Sequence, residues 1–259
     1  MRIARFTAGE EPAFGVVEIG EQQGFVAAVA GDPLYQGVRP TGERFSLDDV
    51  RLLAPVIPRS KVVCVGRNYA DHAGELGNDV PPEPLLFLKP NTSVVGPGDP
   101  IVHPRQSDDV QYEGELAVVI GRICRDVPAD RAADVIYGYT VGNDVTARDL
   151  QRKDVQFTRA KGFDSFCPLG PWIETDLDVS DVGITTTLNG ETRQRGRTNQ
   201  LVFDVPTLVA YVTSVMTLLP GDVLLTGTPA GVGAMRPGDQ VAVTVDGIGT
   251  LGNPVVARD

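Results

Sequence analysis

The sequence predicts a mixed, β-rich α+β fold, a rolled or sandwiched arrangement of short strands with a small β-rich unit at its N-terminus. Three observations predict it. Short apolar runs rich in β-branched residues recur along the chain and end at glycine or proline. The 29 glycines and 20 prolines among 259 residues favour many tight turns. Only one segment, near residue 210, has the pattern of a long amphipathic helix.

The bulk composition excludes several classes of protein. With 23 basic and 34 acidic residues the formal net charge is −11, which argues against a nucleic-acid partner, since binding phosphates needs a basic face. No apolar run of about 18 residues predicts a membrane span, and the N-terminus does not resemble a signal peptide. The cysteines lie at long spacings that form no zinc or redox motif, which predicts reduced thiols in a cytoplasmic protein. These cysteines are Cys64, Cys124 and Cys167.

The first 57 residues are predicted to form the small N-terminal domain, and residues 58–259 the main one. Strands are expected at "RIARFT", "FGVVEIG" and "GFVAAVAG". The segment "FSLDDVRLLAPVIPRS", which contains two prolines, is predicted to be a linker between the two domains.

The main domain reads as strands separated by turns, with few helices. Buried strands are predicted at "KVVCVG", "PLLFLKP", "IVHP" and "ELAVVIG". The segment "PADRAADVIYGYTVGNDV" predicts a short helix and then a strand that ends at Asp144. A helix over "TARDLQRKD" is expected to be capped by Thr146 or Asp144.

The amphipathic helix "DVPTLVAYVTSVMTL" carries its own boundary signals. Asp204 is its predicted N-cap and Pro206 lies in the first turn, while the spacing of Leu208, Val212 and Val215 predicts one buried face. The remaining segments "GDVLLTGTPAGVG", "GDQVAVTVDGIG" and "GTLGNPVV" predict β-structure.

Two glutamates precede the apolar core of one strand, in "VQYEGELAVVIG". Glu113 and Glu115 are two residues apart, so their side chains project to one face of a strand, while Gly114 would let other backbone approach the opposite face. Asp144 adds a third carboxylate, although a plain helix cap and a solvated strand end would also explain these residues. Three carboxylates suit Mg²⁺ or Mn²⁺, and a chain with only two histidines cannot build a histidine cage.

A polar segment follows the strand "KVVCVG" and contains Arg67, His72 and Glu75. His72 and Glu75 are three residues apart and would share a face of a helical turn, where the carboxylate would make the imidazole a better general base. A surface histidine in a mobile loop is the alternative. Because "AGELGNDVPPEP" is rich in glycine and proline, this segment is predicted to form a lid that closes over the substrate.

A basic segment, "RDLQRKDVQFTRAKGFDSF", follows Asp144 in a chain that is acidic overall. Arg148 and Gln151 would share a helix face, where the guanidinium could clamp a carboxylate, and Lys161 could stabilise an oxyanion or enolate. Thr228 lies on the glycine-rich turn "LLTGTPAGVG", which lacks the lysine of a phosphate-binding loop, so no nucleotide site is predicted.

Seven successive segments together resemble the fumarylacetoacetate hydrolase (FAH) family over about residues 58–256. They are "VGRNYADH", "PLLFLKP", "EGELAVVIG", "GYTVGNDVTARDLQ", "RAKGFDSFCPLGPWI", "LNGETRQ" and "LLTGTPAGVG". The resemblance implies a FAH-type β-roll, a homodimer, and Mg²⁺ or Mn²⁺ held by Glu113, Glu115 and Asp144. It also implies that His72 and Glu75 are the acid/base pair, and that Lys161, Arg148, Gln151 and Thr228 contact the substrate or the developing oxyanion; Arg67 is a further predicted substrate-binding residue.

The resemblance also indicates which members of the family are most similar. Asn68 stands where the large fumarylacetoacetate-cleaving members have an acidic metal ligand, and "GRNYADH" is typical of the short members. The expected substrate is a small anionic oxo acid, and the expected reaction is that of a 2-hydroxyhepta-2,4-diene-1,7-dioate isomerase. The alternatives are an acylpyruvate (fumarylpyruvate-type) hydrolase, an oxaloacetate decarboxylase and, more distantly, a non-catalytic ligand-binding protein or a structural Ca²⁺ site.

Overall fold

A large mixed β-sheet runs through the computed structural model, which describes residues 1–9, 11–20 and 23–258. The strands in chain order are β1 (Arg2–Thr7), β2 (Ala13–Ile19), β3 (Gly24–Val29), β4 (Pro40–Ser46), β5 (Arg51–Leu53), β6 (Val62–Gly66), β7 (Leu85–Lys89), β8 (Val94–Val95), β9 (Ile101–His103), β10 (Val110–Tyr112), β11 (Gly114–Ile120), β12 (Ile136–Asn143), β13 (Thr146–Ala147), β14 (Cys167–Glu174), β15 (Gly183–Leu188), β16 (Glu191–Arg197), β17 (Val223–Leu225), β18 (Gly233–Ala234), β19 (Gln240–Val245) and β20 (Gly249–Ala257). The α-helices are α1 (Pro33–Gln36), α2 (Ala70–Glu75), α3 (Arg148–Lys153), α4 (Thr158–Lys161) and α5 (Val205–Val215). Short 3₁₀ turns cover Leu47–Asp49, Asn91–Ser93, Ala129–Asp134 and Thr198–Gln200.

The strands form one large and two smaller sheets in the described part of the chain. The large sheet has the order β4-β3-β2-β1-β14-β12-β11-β17-β6-β7, with β5 on β1 and β8 on β14. The smaller sheets have the orders β13-β10-β18 and β16-β15-β19-β20-β9. This sheet-dominated α+β architecture confirms the predicted fold class.

The N-terminal strands continue the large sheet instead of forming a sheet of their own. Strand β1 pairs antiparallel with β14, where Arg2 lies opposite Glu174 and Ile3 opposite Ile173. Part of the predicted linker is itself a strand, because β5 pairs with β1. The division of the chain at residue 57 stays a prediction.

Strand β11 lies at the centre of the core and is buried over its whole length. Leu116 and Val118 face one hydrophobic cluster, which includes residues of α5, and Ala117 and Val119 face a second cluster on the other side. A strand buried on both faces needs a continuous apolar run, which is why "LAVVI" shows no polar alternation. Each large apolar side chain buried here contributes roughly 1.5–3 kcal/mol.

Helix α5 begins as its sequence predicts. The carboxylate of Asp204 accepts a hydrogen bond from the Thr207 N–H (2.9 Å), and Leu208 and Val212 are fully buried. Val215 is different: it is 56% exposed, because it is the last residue of the helix and its side chain lies beyond the packed face. The prediction of Val215 as a core residue is therefore wrong.

Two further features of the described residues bear on the sequence predictions. All three cysteines are buried and none is bonded to another. None of the described helices is both long enough and apolar enough to span a membrane.

Candidate active site

A cavity of about 400 Å³ opens where the ends of β6, β11 and β12 meet helices α2, α3 and α4. Every residue that the sequence predicts for the site lines this cavity: Arg67, His72, Glu75, Glu113, Glu115, Asp144, Arg148, Gln151, Lys161 and Thr228. Side chains that the sequence reasoning did not select also line it: Leu76, Asn78, Leu85, Phe87, Arg152 and Phe157.

Glu113, Glu115 and Asp144 form one buried cluster at the floor of the cavity. One oxygen from each carboxylate lies within 4.8 Å of the other two. Two hydrogen bonds from main-chain N–H groups hold the strand ends side by side: the Glu113 N–H donates to the Asn143 side-chain oxygen (2.9 Å), and the Asp144 N–H donates to the Glu113 carbonyl (2.8 Å). The fold thus brings together residues that are 31 positions apart in the sequence.

Two cations from the neighbouring helices balance this negative charge. Lys161 Nζ lies 2.7 Å from both Glu113 Oε2 and Asp144 Oδ2, and the Arg148 guanidinium donates to the other oxygen of Glu113. Burial alone would raise the pKa of Glu113, but Lys161 and Arg148 outweigh it and hold that pKa well below its usual range. Burial would likewise lower the pKa of Lys161, and Asp144 and Glu113 more than offset it, so that this pKa is raised.

Glu115 has no such partner within the described residues. Its Oε2 accepts a hydrogen bond from the Gly227 N–H (2.6 Å), but no cationic side chain pairs with it. Burial, and then the charges of Asp144 and Glu113, raise the pKa of Glu115 well above its usual value. A set of three buried carboxylates, one of them without a counter-charge, has the donor chemistry that a hard divalent cation requires.

A second lysine, Lys89, pairs with the Asp144 carboxylate oxygen that Lys161 does not bind. Its ammonium is 1% exposed and donates to Asp144 Oδ1 (2.5 Å) and to the Val145 carbonyl (3.0 Å). The sequence reasoning missed it, although a lysine at the end of the apolar strand "PLLFLK" was a signal, because a buried ammonium must have a partner.

The predicted capping of the helix after Asp144 is wrong. Helix α3 begins at Arg148, its N-cap is Ala147, and no side chain caps it; Thr146 lies in strand β13. The Asp144 carboxylate is instead bound by two lysines, while the Thr146 hydroxyl donates to the Asp144 carbonyl (2.8 Å). Charge-assisted bonds from buried ammonium groups are stronger than a cap to a neutral N–H.

His72 and Glu75 lie on helix α2, one helical turn apart, as their spacing predicts. Nδ1 of His72 is 3.2 Å from Glu75 Oε2, and the Gly231 N–H donates to both oxygens of Glu75 (3.1 and 3.2 Å). His72 is buried against the cavity, so the ring nitrogen that does not face Glu75 is the one available to a ligand.

The turn before helix α2 is fixed by Asn68 and strained at Arg67. The Asn68 amide bonds the carbonyls of Phe203 (3.0 Å) and Thr226 (2.8 Å) and accepts the Phe203 N–H (2.8 Å). Arg67 has a φ of 58°, which costs a non-glycine residue about 1–3 kcal/mol. This conformation brings Arg67 to the wall of the cavity.

Arg148 is held mainly by protein acceptors. Besides Glu113, its guanidinium donates to Gln151 Oε1 (2.6 Å) and Gln111 Oε1 (2.9 Å), and the residue is 2% exposed. The carboxylate that it clamps in this structure is therefore Glu113, and only its remaining N–H groups are available to a substrate.

Thr228 is hydrogen-bonded to the main chain of Gly114 at the floor of the active-site cavity. The Thr228 hydroxyl donates to the Gly114 carbonyl (2.9 Å) and accepts from Gln194 Nε2 (2.8 Å), so its proton is used inside the protein. The predicted reason for Gly114 needs correction, since a Cβ there would meet the side chains of Thr186 (2.2 Å) and Val243 (2.9 Å), not backbone.

Two protein-family models match the chain. The model described as fumarylacetoacetate (FAA) hydrolase, C-terminal, matches residues 61–256. A model described as Rv2993c-like, N-terminal, matches residues 1–55.

Several similar proteins come from mycobacteria. Protein Rv2993c of Mycobacterium tuberculosis is 51% identical over 263 residues, with 100% of this chain and 99% of that protein covered. The solved 5-carboxymethyl-2-hydroxymuconate delta-isomerase of Mycobacterium smegmatis has a TM-score of 0.93 and 53% identity, with both chains fully covered. The 2-hydroxyhepta-2,4-diene-1,7-dioate isomerase of Mycobacterium marinum has a TM-score of 0.92 and 49% identity, covering 100% of this chain and 99% of that one.

Proteins with other reactions are also similar. A mitochondrial oxaloacetate decarboxylase of Dictyostelium discoideum is 45% identical over 197 residues, 73% of this chain and 90% of that protein. A fumarylpyruvate hydrolase of Pseudomonas aeruginosa, solved in complex with Mn²⁺ and pyruvate, has a TM-score of 0.74 and 35% identity over 79% of this chain and 98% of that one. Isomerases, a decarboxylase and a hydrolase thus share this fold.

Proposed function

The chain belongs to the fumarylacetoacetate hydrolase family and is an enzyme of it, and from that premise we propose a more specific activity. The enzyme uses Mg²⁺ or Mn²⁺ and acts on a small 2-oxo or 2-hydroxy-dienoic dicarboxylic acid through an enolate. The reaction that we favour is isomerisation of the kind named for the Mycobacterium marinum structure, in which a proton leaves the 2-hydroxyl group of the dienedioate and is added to a carbon of the chain, giving the 2-oxo isomer.

One observation carries this proposal. The three-carboxylate cluster, the His72–Glu75 pair and the cations Lys161 and Arg148 all face the same 400 Å³ cavity. A keto-enol substrate needs these three kinds of group together: ligands for a cation, a group that moves a proton, and positive charge where the enolate forms. The cavity is large enough for an acid of seven carbons.

Glu113, Glu115 and Asp144 are the residues that would hold the divalent cation. When bound, Mg²⁺ or Mn²⁺ would supply a Lewis acid that stabilises negative charge on the oxygens of the substrate. The three carboxylates fit this role because they are buried, close together and pinned by main-chain hydrogen bonds. Oxygen-only ligands favour these two hard cations over zinc.

His72 is the proposed proton carrier. Glu75 fixes one nitrogen of its ring, and the second nitrogen accepts the proton of the substrate's 2-hydroxyl group and donates it to a carbon of the resulting enolate. Glu75 is in turn held by the Gly231 N–H, so the position of the imidazole depends on helix α2 and the loop at residue 231 together.

Lys161 stabilises the enolate oxygen, and Arg67 is the proposed contact for the distal carboxylate. Lys161 is buried beside the cluster and also lies 4.9 Å from the centre of the Phe87 ring, on the wall of the cavity. Arg67 has no ion pair among the described residues. A distal carboxylate would provide that partner, which favours a dicarboxylic acid over a substrate with a neutral tail.

Turnover of three candidate substrates tests the proposal. 2-Hydroxyhepta-2,4-diene-1,7-dioate, oxaloacetate and acetylpyruvate are each assayed with Mg²⁺ and with Mn²⁺. We expect isomerisation of the dienedioate to be the fastest reaction, and faster turnover of oxaloacetate than of acetylpyruvate if Arg67 contacts a distal carboxylate. Stabilisation by metal without turnover of any of the three would overturn the proposal and indicate a structural cation site.

The oligomeric state and the cellular location of the enzyme are two further proposals. We propose that the enzyme is a homodimer, which light scattering of the purified protein tests directly. We also propose that it works in the cytoplasm, where its three buried thiols would stay reduced.

A further inference from the structure

A second cavity, of about 260 Å³, lies away from the active site. It is enclosed by β1 and β2, helix α1, the segment 55–59, and the strands β12 and β14. None of its lining residues lines the active-site cavity. Tyr137, at the start of β12, is one of them, and Asp144 follows the end of the same strand, so about 20 Å separates the two sites.

Two arginines face this second cavity without an ion pair among the described residues. Arg5 is partly buried on β1, and Arg59 is exposed at the rim. Three of the four other arginines among residues 1–57 have carboxylate partners, namely Arg2 with Glu174, Arg44 with Glu18 and Arg51 with Asp99, and the fourth, Arg39, donates to the Gln36 side chain.

The two arginines of the second cavity lack a full complement of negative charge around them. Burial lowers the pKa of Arg5, and the nearby Asp32 only partly offsets this effect. The Asp32 carboxylate also accepts the Leu34 N–H (2.9 Å) at the start of helix α1. Two guanidiniums against one carboxylate leave a net single positive charge in the lining, which suits one monoanion.

The rest of the lining is apolar and aromatic. Ile3, Val56 and Ile173 are buried and form the floor, and Phe14 is partly buried beside them. Tyr35 is fixed at the rim, since its hydroxyl donates to the Pro220 carbonyl (3.0 Å) and Arg59 lies over its ring (5.0 Å). Flat apolar surface next to a fixed guanidinium favours a ligand with a ring or a compact hydrocarbon body.

We propose that this cavity is a second ligand site, which binds a small monocarboxylate with an aromatic or compact apolar body. The carboxylate pairs with Arg59 and Arg5, and the body packs on Ile3, Val56 and Ile173. Since the lining comes both from the first 55 residues and from the remainder of the chain, an occupant stabilises the junction between the two.

Calorimetric titration of the metal-free protein with benzoate tests this site, with benzamide and acetate as matched probes. We expect benzoate to bind at least about 10-fold tighter than either probe, since benzamide lacks the charge and acetate lacks the ring. We also expect benzoate to raise the Tm by several degrees. Equal binding of the three compounds, or no binding of benzoate, would overturn the proposal.

Benzoate binding to arginine variants shows which cavity the benzoate occupies. R59Q changes an exposed side chain and should weaken benzoate binding on the order of 10-fold, as should R5Q. R44Q, an exposed arginine of the same region, is the matched control and should bind benzoate like the wild type. If R148Q abolishes the binding while R59Q leaves it unchanged, benzoate occupies the active site and the proposed second site is wrong.

Discussion

Asp144 is the residue on which both the charge balance and the proposed cation site depend. Its two oxygens are bound by Lys89 and Lys161, and it supplies one of the three clustered carboxylates. Replacing it by alanine would leave two buried ammonium groups without this partner, which is costly. Asparagine keeps the shape and one of the two acceptor oxygens, so it is the better test.

We expect D144N to weaken Mn²⁺ binding by roughly 10²-fold and to abolish metal-dependent turnover while the fold is kept. Titration of Mn²⁺ by electron paramagnetic resonance measures the binding, the substrate assay with Mn²⁺ measures turnover, and circular dichroism checks the fold. D164N, which changes an exposed aspartate near Lys161, is the control. Unchanged Mn²⁺ affinity in D144N would remove Asp144 from the ligand set.

His72 should affect the chemistry but not the binding of metal. We expect H72Q to lose about 10²–10⁴-fold in kcat and to bind Mn²⁺ and oxalate like the wild type, because the imidazole moves the proton but does not belong to the carboxylate cluster. H103Q, which changes the other histidine of the chain, should keep full activity. Loss of oxalate binding in H72Q would make His72 a binding residue instead.

At the scale of the elements, strands and their ends could be predicted better than contacts between distant segments. The apolar run of β11 and the cap of α5 are local features, and both are confirmed. The predicted cap by Thr146 or Asp144 is wrong, because Thr146 lies in strand β13 and the Asp144 carboxylate is bound by Lys89 and Lys161 from distant segments. Local patterns record propensity, and a long-range charge contact of this strength overrides it.

Helix α2 offers the clearest prediction about an element. Its C-terminal residue Glu75 joins the helix to the Gly231 N–H, and the glycine- and proline-rich segment beyond it has little apolar anchorage. We therefore expect E75A to speed amide exchange over residues 72–78 by about 10-fold, the equivalent of losing one charged hydrogen bond.

Hydrogen exchange measured by mass spectrometry checks this expectation. D71A changes an exposed acid in the first turn of the same helix and should leave the exchange nearly unchanged. If E75A and the wild type exchange equally, Gly231 does not anchor the helix, and the position of His72 is set by its own packing.

At the scale of the whole molecule, the large sheet extends from the N-terminal strands to the floor of the active site. The prolines near residue 57 predict a domain boundary there, but the sequence does not reveal that β1 pairs with β14, because this pairing joins residues about 170 positions apart. The same sheet forms one wall of the second cavity, so the proposed occupant and the active site share strand β12.

Asp222 is a buried charge that ties the start of β6 to the turn before β17. Its carboxylate accepts from the N–H groups of Ser60 (3.1 Å), Lys61 (3.2 Å) and Leu219 (3.0 Å), and pairs with Lys61 Nζ (2.7 Å). Burial alone would raise the pKa of Asp222, but these partners outweigh it and the pKa is lowered. The carboxylate is therefore more stable in the folded chain than in the unfolded one.

The sign of the pH effect follows from this lowered pKa. A group whose pKa is depressed on folding contributes stability above its ordinary pKa, near 3.8, and loses that contribution as the pH falls through its folded value.

At pH 7 we expect D222N to lower the free energy of unfolding by about 2–4 kcal/mol, because Lys61 and three N–H donors lose a charged acceptor. Below pH 3 the difference between D222N and the wild type should shrink, since protonation removes the same charge from the wild type. Urea unfolding at several pH values measures both, and D164N, which changes an exposed acid that has no hydrogen bond or ion pair among the described residues, should match the wild type throughout. A difference for D222N that stays constant down to pH 2 would show that its cost comes from packing and not from the charge of Asp222.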